Sequence, residues 1–293
     1  MEFTTPVDEL VRRRRSCRKY VERPLGADVR EALAAFLAAC GSGPFGGRPR
    51  FGLVAATAGD RSALRGLGTY GFIDGATAFI VGAVGAAPRD HEDYGYVMEG
   101  AILKATDLGL GTCWLGGSFS KSGFARAFAL AGNELMPAVA AVGYPVEDGF
   151  PRDRIRKMAG SDFRRPAGEL FFDGAFGAPL SPAAAGAYAG PLELVRAAPS
   201  ASNRQPWRVV RTATGWHFFL ARTKGYGKDT LLFRMLRMAD LQRVDLGIAM
   251  CHFALGARAS GLAGEWVAAD PGIATPDAAV TYTATWRPAA PPG

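Results

Sequence analysis

The sequence predicts an α+β fold built from two similar halves, and three observations carry that expectation. Helix-period and strand-period segments are mixed along the 293 residues, with Gly- and Pro-rich turns between them. The chain also repeats itself: Asp93 to Trp114 lies without a gap over Asp245 to Trp266, an offset of 152 residues. Matching pairs include Asp93/Asp245, Gly95/Gly247, Met98/Met250, Leu103/Leu255, Ala105/Ala257, Gly109/Gly261, Leu110/Leu262 and Trp114/Trp266. Aspartate, glycine and tryptophan at fixed positions are not what shared helix composition supplies, so the repeat reads as a duplicated unit. Thirdly, the longest apolar run, Ala76 to Ala87, is rich in Gly and β-branched residues and too short to span a bilayer, which makes it a buried strand.

Bulk properties bound the function. With 48% hydrophobic and 21% charged residues the chain has the composition of a globular protein with room for one large core or two small ones. The net charge of +7 and pI near 9.4 come largely from Arg12 to Arg15 with Arg18 and Lys19, and from the run Arg152 to Lys157. Two local clusters suit a bound phosphate better than a polyanion, so nucleic acid is not expected as a partner. Met1 to Glu9 is polar and is followed by arginines rather than an apolar segment, which predicts a cytoplasmic protein with no membrane partner. Cys17, Cys40, Cys113 and Cys251 form no CxxC pair, and His91, His217 and His252 have no ligand spacing; neither a disulfide nor a metal is expected. Cys251 and His252 diverge by ~100° on a helix and read as buried residues, not as nucleophile and base.

In chain order, Pro6 to Arg15 is a helix with Val7, Leu10 and Val11 inward and Asp8 and Glu9 near its positive end. Asp28 to Cys40 is the next, by its Val29, Leu33, Phe36, Leu37 pattern. A turn-rich loop, Gly41 to Pro49, precedes the strand Phe51 to Thr57; Arg61 to Leu67 is a short helix and Ala76 to Val84 a strand. Asp93 to Leu108 is a long helix stopped by Gly109 and Gly111. Thr112 to Gly117 runs as strand and loop, Phe124 to Ala131 as helix, Pro137 to Val142 as strand. Ser161 to Pro182 reads as a connector. Then come the helix Ala183 to Ala197, the hairpin Arg208 to Thr212 and Trp216 to Arg222, helices Leu231 to Met238 and Asp240 to Ser260, and strands Glu265 to Ala269 and Ala279 to Trp286.

Two stretches carry chemistry. Arg14-Arg15-Ser16-Cys17-Arg18-Lys19-Tyr20 offers guanidinium forks and a hydroxyl; extended, it puts alternate arginines on one side, as a dianionic phosphate requires, although by composition it also reads as a solvated charge run. Pro199-Ser200-Ala201-Ser202-Asn203-Arg204-Gln205-Pro206-Trp207 offers two hydroxyls and two amides ahead of a rigid strand entry. By composition it is an ordinary polar turn; its donors and acceptors are also those that a polar heteroaromatic ring takes.

Together these stretches resemble the RRSxRxF/Y element and the PSSxNxQPW signature of the nitroreductase superfamily, the latter departing at Ala201. The resemblance implies a duplicated nitroreductase-like fold, a central sheet flanked by helices in each half, with an intrachain pseudo-dimer around FMN. Residues 1–165 would carry the arginine element and residues 166–293 the NxQPW-type loop. Arg14, Arg15, Ser16 and Arg18 would hold the phosphate end, with Arg154 or Arg156 as further candidates. Pro199, Ser200, Ser202, Asn203 and Gln205 would take the ring and ribityl chain, and Leu115, Gly116 and Gly117 would lie against the isoalloxazine. The implied activity is transfer of electrons from NAD(P)H to a small conjugated acceptor, a nitroaromatic, quinone or enone. The alternative is a flavin-binding sensor or store without turnover. No residue stands out as a catalytic acid.

The losses in the two halves complement each other. Gly41 to Pro49 falls opposite Ala198 to Pro206 and lacks its amide side chains, while Asp173 to Pro182, opposite the arginine element, has no arginine. One complete site per chain is therefore expected, in a protein able to be a monomer.

Overall fold

The computed structural model describes residues 1–146, 160, 162–224 and 239–289. Its first half is a sheet of β1 (Arg50–Ala55), β2 (Ala78–Gly85), β3 (Gly111–Leu115) and β5 (Val139–Gly143), in the order β1-β2-β5-β3, with the short β4 (Glu134–Leu135) pairing on β2. Every pairing in it is antiparallel. Its second half is a sheet of β6 (Phe171–Asp173), β7 (Trp207–Thr212), β8 (Gly215–Ala221), β9 (Gly264–Val267) and β10 (Val280–Pro288), in the order β6-β7-β8-β10-β9. Removing β6, which pairs with β7 in parallel, leaves the order β7-β8-β10-β9, the same path as β1-β2-β5-β3. The apolar run read as a buried strand is β2, where every residue but Gly85 is buried.

The helices are α1 (Val7–Arg13), α2 (Ala27–Ala38), α3 (Asp90–Asp107), α4 (Lys121–Ala127), α5 (Ala167–Leu170), α6 (Pro182–Ala185), α7 (Ala189–Ala197) and α8 (Leu241–Ala259). α3 and α8 are the repeated stretch, and they end alike. Gly109 at φ +76° and Gly261 at φ +71° close them, with Leu110 N bonding Ala105 O at 2.9 Å and Leu262 N bonding Ala257 O at 2.8 Å. Glycine takes this left-handed turn at no steric cost, which is why it recurs there.

α3 and α8 pack on each other and join the halves. At their crossing a side chain on Gly95 would run into the Val244 carbonyl, and one on Gly247 into the Glu92 carbonyl. The offset of 152 maps Glu92 to Val244 and Gly95 to Gly247, so one contact is made twice, as a two-fold interface requires. Each half keeps its own core. The second is dominated by Trp207, Trp216, Phe218, Phe253, Trp266 and Trp286, and a smaller cluster of Leu10, Val11, Leu103, Leu194, Cys251 and Leu255 spans the seam.

Three expectations are corrected. Residues 183–197 do not form one helix: Gly186, at φ 53°, breaks the path between α6 and α7. The stretch read as a connector contributes α5 and β6 to the second sheet, because Phe171 and Phe172 are buried against it. The long helix α3 begins at Asp90 rather than Asp93, its first turn carrying Asp90, Glu92 and Asp93 where they complement the dipole. The helix expected at 231–238 lies outside the described residues.

Candidate functional site

Beyond α1 the chain leaves its helix at Arg14 and runs extended beside β3. Ser16 forms a parallel bridge with Thr112, and Cys17 N donates to Thr112 O at 2.8 Å. Extended backbone sends alternate side chains to opposite faces. Cys17 is therefore buried against the first half, under Tyr20, whose hydroxyl donates to its carbonyl at 2.6 Å, while Arg14, Ser16 and Arg18 line a cleft. Arg15 lines the same cleft.

The opposite wall is the loop after α7. Ser202 (φ 49°), Asn203 (φ 54°) and Gln205 (φ 50°) all sit in the left-handed region, at a cost of order 1–3 kcal/mol each for residues with side chains. Local bonds hold that shape: Gln205 N donates to Ser200 Oγ at 2.9 Å and Ala201 N to Asp245 Oδ1 at 3.0 Å. Asp245 is the repeat partner of Asp93, which accepts from Phe45 N at 2.9 Å and Gly47 N at 2.7 Å. The same aspartate thus organises the corresponding loop in each half. In the first half Gly46, at φ 87°, stands opposite Asn203.

Between these walls lies a cleft of about 660 Å³, within the ~300–1,000 Å³ typical of small-molecule sites. It collects Arg14, Arg15, Ser16, Arg18, Leu115, Gly116, Gly117, Pro199, Ser200, Ser202 and Asn203, residues that the sequence separates by up to nearly two hundred positions. Arg12 and Arg164 add to its positive field and Asp162 opposes it. At Gly116 a Cβ would lie 2.5 Å from Leu241 Cδ1, so Leu241 packs directly on it, whereas at Gly117 there is open space.

Gln205 does not line the cleft. It is buried, and its carbonyl oxygen accepts from Arg165 N at 2.9 Å while its amide faces Asn203 O at 3.2 Å. Asn203 is engaged similarly: its amide donates to Gly160 O at 2.7 Å and Phe163 O at 3.0 Å, and its oxygen accepts from Arg164 at 3.1 Å. Both side chains thus bind Gly160 and residues 163–165 to the loop. Arg154 and Arg156 lie outside the described residues. Cys251 and His252 are fully buried, as their place on one helix implied.

Sequence reasoning missed Arg164, Phe72, Trp114 and Leu241 as cleft residues. Trp114 had a signal, because it stands next to the expected Leu115 and repeats as Trp266. Phe72 had none; it comes from a loop of the first half and is 40% exposed.

Two halves sharing one sheet topology, crossed on a two-fold helix pair, with a basic cleft at their seam, define a nitroreductase-type protein held within one chain. The family model described as "Putative TM nitroreductase" matches residues 7–257, and the chain belongs to this family. Among solved structures, a putative nitroreductase from Thermotoga maritima is 20% identical with a TM-score of 0.54, covering 88% of this chain and 86% of its own, which shows the shared fold. A nitroreductase family protein of Clostridium difficile covers 58% of this chain and 96% of its own, at 20% identity and TM-score 0.41. A putative nitroreductase of Desulfovibrio desulfuricans, solved in complex with FMN, covers 50% and 89%, at 22% identity and TM-score 0.37. No curated protein matches the sequence. No helix among the described residues is long and apolar enough to cross a membrane.

Proposed function

We propose that the protein is an FMN-dependent oxidoreductase that passes electrons from NADH or NADPH to a small conjugated acceptor. The observation that carries this reading is the meeting of Arg14, Ser16 and Arg18 with the loop at Pro199 to Asn203 across one cleft. The donor set suits FMN. Guanidinium forks and a hydroxyl at one end match a dianionic phosphate, and a narrow wall of Leu115, Gly116 and Gly117 leaves room for a flat ring beside backbone N–H groups.

In this reading Arg14, Arg18 and Ser16 bind the phosphate, with Arg15 adding charge. The loop at Pro199 to Asn203 holds the ribityl chain and ring edge, and its strained backbone is kept in shape by Asp245 and Ser200. Leu115, Phe72 and Leu241 exclude water from the apolar side. Bound FMN supplies the redox chemistry, accepting and returning a hydride equivalent, while the protein supplies position and charge. Among the described residues, the titratable side chains lining the cleft are arginines, Cys113 and Asp162, and we assign none of them as a proton donor.

Two measurements test the proposal. Flavin released from the purified protein, set against protein concentration, should give one FMN per 293-residue chain; two would refute the complementary loss of the second site. In stopped flow, NADH or NADPH should bleach the bound flavin faster than free FMN, and a quinone or nitroaromatic should restore its colour. Bleaching by dithionite alone would replace this reading with that of a flavin-binding protein without turnover.

A further inference from the structure

Where the two long helices cross, Glu99 of α3 and His252 of α8 meet between them, both fully buried. His252 Nε2 lies 3.0 Å from Glu99 Oε1, and Trp114 Nε1 donates to Glu99 Oε2 at 2.9 Å. On its other side, His252 Nδ1 lies 2.9 Å from Leu194 O. A carbonyl can only accept, so Nδ1 carries a hydrogen. Leu194 is in the last turn of α7, whose carbonyls lack helical partners. The Ala198 amide that would serve Leu194 bonds Val195 O instead, and His252 fills the place.

The path runs from one wall of the cleft to the other. Trp114 lines the cleft and immediately precedes Leu115, Gly116 and Gly117; Leu194 is one turn from Ala198 and the loop at Pro199 to Asn203. No member except Trp114 reaches the cleft. The repeat supplies an internal control. At the positions equivalent to Glu99 and His252 the other helix has Cys251 and Gly100, and Trp266, the partner of Trp114, has a buried indole N–H without a hydrogen-bond partner among the described residues. Burying a carboxyl and an imidazole is expensive unless each is fully hydrogen-bonded. Cys251 and Gly100, at the equivalent positions, incur no such expense on the side of the lost site.

We infer that Trp114, Glu99 and His252 are positioning residues: a relay that fixes the Trp114 to Gly117 wall against the Pro199 to Asn203 wall, so that FMN affinity depends on Glu99 and His252, which do not reach the cleft. The inference rests on the flavin reading above. It acts through geometry, which separates the possible substitutions. In Glu99→Gln the amide can still accept from Trp114 and donate to a neutral His252 Nε2, whereas Glu99→Leu severs both bonds.

The test is FMN affinity of folded protein by fluorescence quenching, well below the thermal midpoint of each variant. Glu99→Leu and Trp114→Phe should each weaken FMN about tenfold, and Glu99→Gln should stay within about threefold of the parent. Trp114→Phe/His252→Gln should lose no more than the worse single variant, because residues acting through one relay are not additive. Wild-type affinity in folded Trp114→Phe, or additive losses in the double variant, would overturn the inference. If the parent chain takes up no FMN, the flavin reading falls, and the relay is read in the protein alone. There, Glu99→Leu should speed amide exchange at residues 200–205 and 115–117 while β8 stays protected; unchanged exchange in those segments would overturn it.

Discussion

Asp93 and Asp245 show how one residue type, used twice, meets two environments. Asp93 has both oxygens bonded to backbone N–H groups, and burial lifts its carboxyl to about 6 against those bonds. Asp245 is also buried, accepts from Ala201 N with one oxygen, and its Oδ2 has no hydrogen-bond partner among the described residues; burial raises it well above the usual carboxylate range. An acid whose pKa is raised on folding binds more protons folded than unfolded, so stability is fully present below the unfolded pKa and falls as pH rises through the folded one. Asp93 should therefore contribute a decline between about pH 4 and 6, and Asp245 one that continues further. Thermal midpoints from pH 5 to 8 check this. Asp245→Asn should flatten the decline above pH 6 relative to the parent, and identical slopes would show that Asp245 is ionised in the folded protein.

At the scale of elements, the crossing of α3 and α8 is set by two glycines without any need for their backbone freedom. They are needed because the helix axes approach closely enough for Gly247 to touch the Glu92 carbonyl and Tyr96 N, where a methyl has no room. Backbone atoms cannot yield as a long side chain can. Gly247→Ala should cost about 1–3 kcal/mol or more in denaturant unfolding, the scale of overpacked core sites. Gly190→Ala in α7, where a Cβ meets nothing within 4 Å, should be neutral or stabilise by about 0.5–1 kcal/mol. Equal losses at both sites would mean that the crossing is not tight.

For the whole molecule, the seam is a core and not a contact of two finished surfaces. Leu10 and Val11 of the first half pack with Leu194, Cys251 and Leu255 of the second, and Arg243 of α8 holds Glu92 of α3 at 2.8 Å through Nε. An interface of this kind resembles that of an obligate dimer. Expressed alone, residues 1–165 would expose the buried face of α3, so the fragment should aggregate or self-associate. Size-exclusion chromatography checks it, and a well-behaved monomeric fragment would show that each half is stable without the other.

What the sequence determined by itself is what local pattern and repetition encode. The helix pair α3 and α8 was legible because the same Asp, Gly and Trp positions recur at a constant offset, and the cleft because two dense motifs sit in complementary halves. Boundaries were legible to within a few residues wherever a glycine or proline punctuates them. Tertiary structure alone decided where the amides of Asn203 and Gln205 go, since their partners at Gly160 and residues 163–165 are distant in sequence. It also decided that Phe171 to Asp173 is a strand, a property of the β7 edge it pairs with. Glu99 and His252 read as one acid and one imidazole on two separate helices. Their pairing exists only because the halves cross at that point, and a cost of burial that depends on a partner so far along the chain leaves no mark in local composition.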